Sequence, residues 1–405
     1  MGVAIGQKCH HKKGGTVMEN PVASRKRLPL LLVTGLFWFA LYIYIPYQTP
    51  YLTAMGLAAS TVGVIVGVYG FSQMVIRIPL GLFADRKSHH KPFISIGVLL
   101  AGVASLLRYL WPSGTAFLIA NLISGMAAST WISFTVLFPT YYGPGGLKKA
   151  TGTILMVNNC GTLIGFAVGT VVSQAAGVDI LFLLSAGAAL LGFLISFFVQ
   201  ESPAPPREHV PSIRELLGVL RFRSLWIFAL AAALIQAANM STAMSFTTEY
   251  ARELGASNIQ IGLCSVLYII AGVLGSYFTG TETAQKWGDK LLFSFFFVCF
   301  IAYLILVPLS GAVWMLYILQ FIGGLGFTSL LSLFMSSAMR GIPPEKKSTA
   351  MGFFQAVYGV GMTFGPMLAG LLLAGWGMIP AYFSLAALCV AGLLIVLLSR
   401  AGKEQ

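Results

Sequence analysis

A short charged run, residues 81–91, lies between two long apolar segments of the sequence. It contains a single acid, Asp85, followed directly by Arg86, and Arg77 lies eight residues earlier within the upstream apolar segment. An acid among cations forms ion pairs, and Gly81 lets another backbone approach closely. Because acids contribute little to the orientation of membrane helices, Asp85 indicates a polar latch between helices.

The composition of the chain identifies its broad class. Of its 405 residues, 57% are hydrophobic and 9% are charged, and the mean hydropathy is +0.84. A soluble domain of this composition would expose an apolar surface, so we predict a polytopic membrane protein. The net charge of +13 is spread over alternate loops, which argues against a nucleic-acid partner. The cysteines at 160, 264, 299 and 389 lie in apolar segments and are predicted to be core residues.

Twelve apolar segments are long enough to cross a bilayer as helices. The predicted spans 1 to 12 are 28–47, 60–83, 92–110, 115–139, 150–172, 180–199, 225–248, 259–280, 291–309, 313–338, 349–373 and 379–398. We therefore predict an all-α membrane protein with twelve transmembrane helices in two pseudo-symmetric six-helix bundles, 25–200 and 225–400.

The segments outside the bundles are polar. Residues 1–24 and 401–405 are predicted to be tails, the first of them disordered, and residues 201–224 a proline-rich linker. Residues 213–220 of the linker are amphipathic and predict a short helix on the membrane surface. All Lys and Arg residues except Arg77, Arg108 and Arg252 fall in the tails, the linker or alternate loops. This asymmetry predicts that both termini are cytoplasmic, in a plasma membrane or bacterial inner membrane.

The two halves of the sequence repeat each other at an offset of 199 or 200 residues. The matched pairs include Tyr69 with Tyr268, Gly81 with Gly280, Asn121 with Gln320, Gly125 with Gly324, and Gly161 with Gly361. In the second copy of the charged loop, Ala284 and Gln285 replace the acid and its neighbouring arginine. The repeat therefore predicts an ionic latch in the first half alone.

The loop from Gly81 to Arg86, Gly-x-x-x-Asp-Arg followed by basic residues, resembles the signature loop of the major facilitator superfamily of secondary transporters. Ser88 stands where that family usually has a second glycine. With the doubled six-span pattern, the resemblance covers nearly the whole chain beyond the first tail. It implies that the two halves rock about a central site.

The resemblance also implies a gate and a cavity. The gate would consist of Gly81, Asp85, Arg86, Arg77 and Lys91, closing the cytoplasmic side against the start of span 11. The cavity would lie between the halves, lined by spans 1, 2, 4, 5, 7, 8, 10 and 11. The polar and aromatic residues at mid-depth in these spans are Trp38, Tyr42, Gln73, Trp131, Asn158, Gln236, Asn239, Tyr268, Gln320, Gln355 and Tyr358. The alternative for each is an ordinary interhelical hydrogen bond.

The charge inside the predicted cavity depends on three residues. Drug exporters of this superfamily usually carry an arginine in span 4, four residues before a glycine, and this chain has Asn121 there. Two other arginines could compensate: Arg77, about 12 Å along the helix from Asp85, and Arg108, for which we expect snorkelling to the interface. The cavity is accordingly predicted to be uncharged, which suits a neutral or amphipathic solute.

Proton coupling has few candidate groups in this sequence. All five histidines lie in a tail or loops, and no acid falls in the middle of a span. Glu249, at the outer end of span 7, comes nearest. Glu249 or Asp85 is therefore the predicted protonation site, with weak or absent coupling.

By resemblance, the predicted function is secondary transport of a small neutral or amphipathic organic solute by alternating access, with export as the first choice. Uptake of a nutrient or an organic anion is the alternative. A membrane enzyme acting on a lipid-linked substrate would need a cluster of catalytic groups, which the spans do not offer. We predict no cofactor and no metal. The predicted partners are the solute, the bilayer and protons as coupling ion, for a chain that acts as a monomer.

Overall fold

The structure is a computed structural model that describes residues 21–87, 89–142, 147–201, 217–343 and 346–399. Within these residues, twelve helical spans are long and apolar enough to cross a membrane, which confirms the predicted number. The helices are Pro21–Tyr42 and Ile45–Ala54 in span 1, Ala59–Lys87 in span 2, Lys91–Leu110 in span 3, Gly114–Ser129 and Trp131–Leu137 in span 4, Leu147–Ala176 in span 5, Asp179–Ser196 in span 6, Arg223–Ser241 and Thr247–Glu253 in span 7, Asn258–Thr279 in span 8, Glu282–Leu306 in span 9, Val313–Ala338 in span 10, Lys347–Trp376 in span 11 and Met378–Leu398 in span 12. Residues 1–20 and 400–405 of the predicted tails and residues 202–216 of the linker lie outside the described residues. Residues 21–24, predicted as the end of the disordered tail, belong instead to the first helix, and the described end of the amphipathic stretch lies in a short 3-10 helix, Leu217–Arg221.

An even number of spans places the start of span 1 and the end of span 12 at one end of the bundle, here called the terminal end. At this end, Arg27 donates to the Tyr141 carbonyl at 3.3 Å. The other end, here called the far end, holds the connection between spans 1 and 2. There Tyr51 donates to Asp179 at 2.5 Å. These bonds fix the helix ends of the first half to one another.

Spans 1, 4 and 7 are interrupted helices. Span 1 restarts at Ile45, where Pro46 occupies the first turn and has no N–H to leave unpaired. Span 7 contains a wide π turn, Thr242–Phe246, between its two α-helices. Span 4 is divided at Thr130. The residues at these breaks are mostly apolar or small, so a hydropathy profile shows each span as one continuous segment.

The two halves pack in the same way. A Cβ added at Gly125 in span 4 would lie 2.3 Å from the carbonyl oxygen of Tyr69 in span 2. The same addition at Gly324 in span 10 would lie 2.0 Å from the carbonyl oxygen of Tyr268 in span 8. Glycine is required at both positions because backbone occupies the space. The matched contacts support the predicted offset of 199 residues and the two pseudo-symmetric bundles.

The halves meet along three pairs of spans: 2 with 11, 5 with 8, and 1 with 7. Spans 2 and 11 touch over most of their length, from Ala59 against Gly370 at the far end to Met74 against Gly359 deeper in the bundle. Spans 1 and 7 meet near the far end. This arrangement leaves the space between spans 4 and 11, nearer the terminal end, for a cavity.

Candidate functional site

Hydrogen bonds between the halves close the far end. The hydroxyl oxygens of Thr49 in span 1 and Ser245 in span 7 are 2.8 Å apart, and both residues are fully buried. Tyr47 donates to the carbonyl of Asn258 at 3.1 Å, and the Asn258 amide donates to the carbonyl of Ser173 at 3.0 Å. We call these residues the far-end seal, because they join the two halves at that end.

Glu249, the predicted protonation site in span 7, lies beside this seal. Its carboxylate accepts two hydrogen bonds from Arg252, at 2.6 and 3.0 Å, and Glu249 is 8% exposed. Arg252 also reaches Thr53 in the other half at 3.5 Å. Glu249 is thus an ion-paired acid that braces the closed end. Its role in proton coupling stays a prediction.

Nearer the terminal end, a cavity of about 220 Å³ lies between the two halves. Its wall consists of Trp131, Ile132, Thr135 and Val136 from span 4 and Met351, Gly352 and Gln355 from span 11. Two of these side chains, Trp131 and Gln355, are among the predicted cavity residues. Within the described residues, the Gln355 Oε1 atom is buried without a hydrogen-bond partner. The cavity therefore combines an aromatic face with a free amide oxygen.

A second cavity, about 40 Å³, lies deeper, towards the far-end seal. We call it the inner chamber. It is lined by Leu41, Tyr42, Tyr44, Ile45, Gln48, Val66, Tyr69, Asn121, Met240 and Met244. Its volume holds about three water molecules, since one water needs roughly 10–15 Å³ by this measure. A larger solute would have to widen it.

Aromatic rings connect the two cavities. The Trp131 and Trp38 rings meet edge to face at 5.3 Å, and the Trp38 and Tyr42 rings lie 5.4 Å apart. Trp131 lines the cavity between spans 4 and 11, and Tyr42 lines the inner chamber. The structure thus brings three of the predicted residues into one continuous aromatic path. The chamber residues Gln48, Tyr69, Met240 and Met244 were not predicted, and Gln48 lies one residue beyond the predicted end of span 1.

Arg77 of span 2 lies between the two halves. It is 5% exposed, and its Nη1 atom donates to the hydroxyl of Tyr358 in span 11 at 2.9 Å. Its guanidinium carbon lies 5.7 Å from the centre of the same ring. This places Arg77 and Tyr358, both predicted site residues, in direct contact across the two halves.

The expectation that Arg108 snorkels to the interface is wrong. Arg108 is 0% exposed, and its Nη2 atom donates to Asn121 Oδ1 at 2.6 Å and to Ser124 Oγ at 2.9 Å. Its guanidinium also lies over the ring of Tyr44 at 4.5 Å. The span 3 helix turns this residue towards the bundle, where Asn121 provides an acceptor. A cation thus stands beside the position at which exporters of the family carry their arginine.

The cavity was predicted to be uncharged, and no charged side chain of the described residues lines either cavity, but Arg108 lies directly behind the inner one. Asn121 and Tyr44 line the inner chamber, and both touch Arg108. The positive charge lies one layer behind the chamber wall. Sequence reasoning missed it because the depth of Arg108 depends on which face of span 3 points inwards.

The second half holds amides and no arginine at the matching position. Tyr268 donates to Asn239 at 2.7 Å, and Asn239 donates to Gln236 at 3.2 Å, so these three predicted residues form one buried chain. Gln320, the partner of Asn121 in the repeat, is 0% exposed. Across the described ranges, neither polar atom of its side chain finds a hydrogen-bond partner. Val307 occupies the position equivalent to Arg108 at the 199-residue offset.

The remaining predicted residues are dispersed. Gln73 is buried in span 2, and Asn158 is half-buried in span 5. Lys91 donates to the Phe197 carbonyl at 2.8 Å, a bond within the first half. The side chains of Asp85 and Arg86, and the surroundings of Gly81, lie outside the described part of the structure, so the gate stays a prediction. No cluster of three or more His, Cys, Asp or Glu side chains suited to a metal occurs in the part of the chain that is described.

Twelve spans in two matched halves, with a cavity between them that is sealed at one end, define a membrane transporter. The family model described as Major Facilitator Superfamily matches residues 30–248 and 228–405, so the chain belongs to that superfamily. It is a transporter of small molecules and not an enzyme. The resemblance read from the charged loop is confirmed.

Relatives and solved structures agree with this assignment. The chain is 22% identical over 380 residues to the quinolone resistance protein NorA of Staphylococcus aureus strain MRSA252, covering 91% of this chain and 95% of that protein. A bacterial homologue of the human lysosomal transporter Spinster, in an inward-facing and occupied conformation, superposes with a TM-score of 0.75 at 16% identity, covering 96% and 98% of the two chains. The nucleoside transporter NupG superposes with a TM-score of 0.74 at 14% identity, covering 94% and 100%. These structural likenesses concern the fold.

Proposed function

We propose that the protein is a secondary active transporter that exports a small amphipathic organic solute by alternating access. The observation that carries the proposal is the aromatic path from Trp131 through Trp38 to Tyr42, which ends in a chamber closed by the far-end seal. Aromatic faces with a few polar groups suit the body of such a solute. The relationship to NorA, a quinolone resistance protein, favours export.

The sidedness of the structure follows from the distribution of basic residues. We propose that the terminal end faces the cytoplasm, with residues 25–200 and 225–400 as the two moving bundles. The far-end seal then closes the outer side, and the cavity of spans 4 and 11 receives solute from the cytoplasm or the inner leaflet. The reverse direction, uptake, is the second candidate.

A counterflow experiment tests the proposed function. The purified chain, reconstituted in lipid vesicles loaded with an unlabelled aromatic solute, is expected to accelerate entry of the labelled solute, because a carrier that alternates between sides exchanges one molecule for another. The matched variant is Asp85→Asn, which we expect to fold normally and to exchange several-fold more slowly. A flux that rises linearly with solute concentration, as it does in vesicles without the protein, would contradict the proposal. Exchange at the wild-type rate in Asp85→Asn would contradict the role of Asp85 in the gate but not the transport function.

Proton coupling is tested in the same vesicles. We infer that Glu249 or Asp85 is the protonation site, since the sequence offers no acid in the middle of a span. A proton gradient is therefore expected to have little effect on the initial rate of transport. If Glu249 is the protonation site, Glu249→Gln is expected to abolish that small effect; if Asp85 is the site, Asp85→Asn is expected to abolish it. A steep dependence on the gradient that survives both Glu249→Gln and Asp85→Asn would overturn this assignment.

A further inference from the structure

Two buried arginines lie in the first half with very few acids near them. Arg108 is 0% exposed and Arg77 is 5% exposed. Between residues 20 and 200 the sequence contains only two acids, Asp85 and Asp179. The first half of the transporter therefore carries an excess of positive charge at membrane depth.

Neither acid neutralises Arg108. Asp85 precedes span 3, whereas Arg108 lies 17 residues beyond Lys91, the first residue of that helix, or about 25 Å along its axis. Asp179, at the far end, accepts a hydrogen bond from Tyr51 at 2.5 Å. No carboxylate in the described residues contacts Arg108, whose bonds go to Asn121 and Ser124.

The hydrogen bonding of Arg108 is incomplete. Its Nη2 atom is used twice, while its Nε and Nη1 atoms have no hydrogen-bond partner anywhere in the described ranges. A buried charge without a counter-ion is costly, and the ring of Tyr44 and two neutral acceptors offset only part of that cost. A buried arginine that lacks a counter-ion within the protein can interact favourably with the negative charge of a bound solute.

The inner chamber gives such a charge access to the field of Arg108. Asn121 and Tyr44 touch the arginine and line the chamber. The Asn121 amide donates to the Ile65 carbonyl at 2.7 Å, which holds its oxygen on the arginine. In this low-dielectric wall, the charge acts across the Tyr44 ring with little screening. The closed end of the cavity thus lies within the field of a buried positive charge.

Arg77 lies on the route to the chamber. Tyr69, another chamber residue, is on the same helix as Arg77 and eight residues earlier, a distance of about 12 Å along the axis. The Arg77 Nε atom is likewise buried and, among the described residues, without a partner. An anion that enters from the terminal end would pass Arg77 before it reaches the chamber.

We infer that the transported solute is an organic anion. Its aromatic or apolar body lies along Trp131, Trp38 and Tyr42, and its acidic group is held at the inner chamber by the charge of Arg108, with Arg77 on the entry route. Amphipathic cations of the same shape are rejected by like charge. This inference rests on the proposed transport function and specifies its substrate class.

Matched aromatic probes test the charge preference directly. The probes are 2-naphthoate, its neutral carboxamide, and the cation 2-naphthylmethylammonium, titrated calorimetrically against the full chain in lipid nanodiscs. The carboxylate is expected to bind at least about tenfold more tightly than either of the others, because a buried charge pair contributes more than that. The wild-type protein alone thus gives a result, whatever the variants do.

Two variants locate the charge. Arg108→Met and Arg77→Gln are each expected to weaken carboxylate binding by about tenfold or more, while binding of the carboxamide changes little. Arg108→Met removes a buried charge that has no counter-ion but leaves the buried Asn121 oxygen without its donor, so the thermal unfolding of this variant is measured alongside its binding. The control is Arg340→Gln, which removes one exposed cation paired with Asp289. It lowers the net charge equally and is expected to leave all three affinities unchanged.

The outcomes separate this inference from the proposed function. Equal binding of the three probes, tighter binding of the cation, or no binding of 2-naphthoate would overturn the inference. An equal loss of carboxylate and carboxamide binding in Arg108→Met would also overturn it, since that indicates damage to the chamber. Counterflow of a neutral solute with no preference for anions would support the transport function but contradict the proposed anionic substrate. Anion binding without any counterflow would support the anion site but contradict the transport function.

Discussion

Joining positions 49 and 245 by a disulfide is expected to stop transport almost completely. The hydroxyl oxygens of Thr49 and Ser245 are 2.8 Å apart across the two halves, within the far-end seal. Cysteines at both positions would place their sulfur atoms within bonding reach with little backbone movement. Because alternating access requires the far end to open, a covalent bond there holds the transporter in its present state. A reductant is expected to restore counterflow.

The matched control for this cross-link is the pair Ser105→Cys and Ser185→Cys. The two hydroxyl oxygens are 2.6 Å apart and fully buried, but both belong to the first half, which moves as one body in the proposed cycle. This disulfide is expected to leave counterflow intact. Both pairs are made in a background without the native cysteines, and the cross-linked fraction is measured by mass spectrometry. Full activity of a completely cross-linked 49–245 pair would show that the seal does not need to open.

The second large effect concerns Gly324, where valine is expected to prevent stable folding. The first added carbon would lie 2.0 Å from the Tyr268 carbonyl oxygen. That oxygen belongs to a helix backbone and cannot move aside as the tip of a side chain can. Overpacking a core usually costs about 1–3 kcal/mol, and this clash belongs at or above the upper limit. The measurement is the midpoint of thermal unfolding in detergent, with the yield of monodisperse protein.

Two further glycines make this prediction specific. Gly125→Val, at the equivalent position of the first half, meets the Tyr69 carbonyl and is expected to be as damaging. Gly187→Val in span 6 is the control, because nothing lies within 4 Å of the added carbon. It is expected to unfold near the wild-type temperature. Similar losses in all three variants would indicate a general intolerance of valine in these helices, contrary to the close-packing argument.

The sequence predicts the fold well because the bilayer imposes a simple rule. Each span must satisfy its own backbone and cover itself with apolar side chains, so twelve helices can be counted from hydropathy. The offset of 199 residues succeeds for a related reason: Gly125 and Gly324 are fixed by backbone contacts with Tyr69 and Tyr268 that side chains cannot replace.

The charge of the site could not be predicted in this way. Arg108 is two residues from the end of its helix, where snorkelling and burial are equally compatible with the sequence. The decision depends on the rotation of span 3 about its axis, which is set by packing against spans 4 and 6. A signal was nevertheless present in Asn121, an amide inside an apolar span that needs a polar partner, with Arg108 only 13 residues earlier across the connection between spans 3 and 4.

The far-end seal is a further element that sequence reasoning did not find. Thr49 and Ser245 are small hydroxyl residues, and in a helix such side chains usually donate to the carbonyl one turn earlier. Thr242 does so in this structure, donating to Ala238 at 2.7 Å. Nothing in the sequence distinguishes a hydroxyl that bonds its own helix from one that bonds another span.

The π turn Thr242–Phe246 affects how residue roles are transferred between proteins. A π turn holds one more residue than an α-helical turn, so the part of span 7 beyond it is rotated relative to the part before it. A relative whose span 7 is an uninterrupted α-helix therefore aligns with this chain only if a one-residue gap is placed between positions 242 and 246. Without that gap, each functional residue assigned by alignment from Ser245 to Glu249 falls on the wrong face.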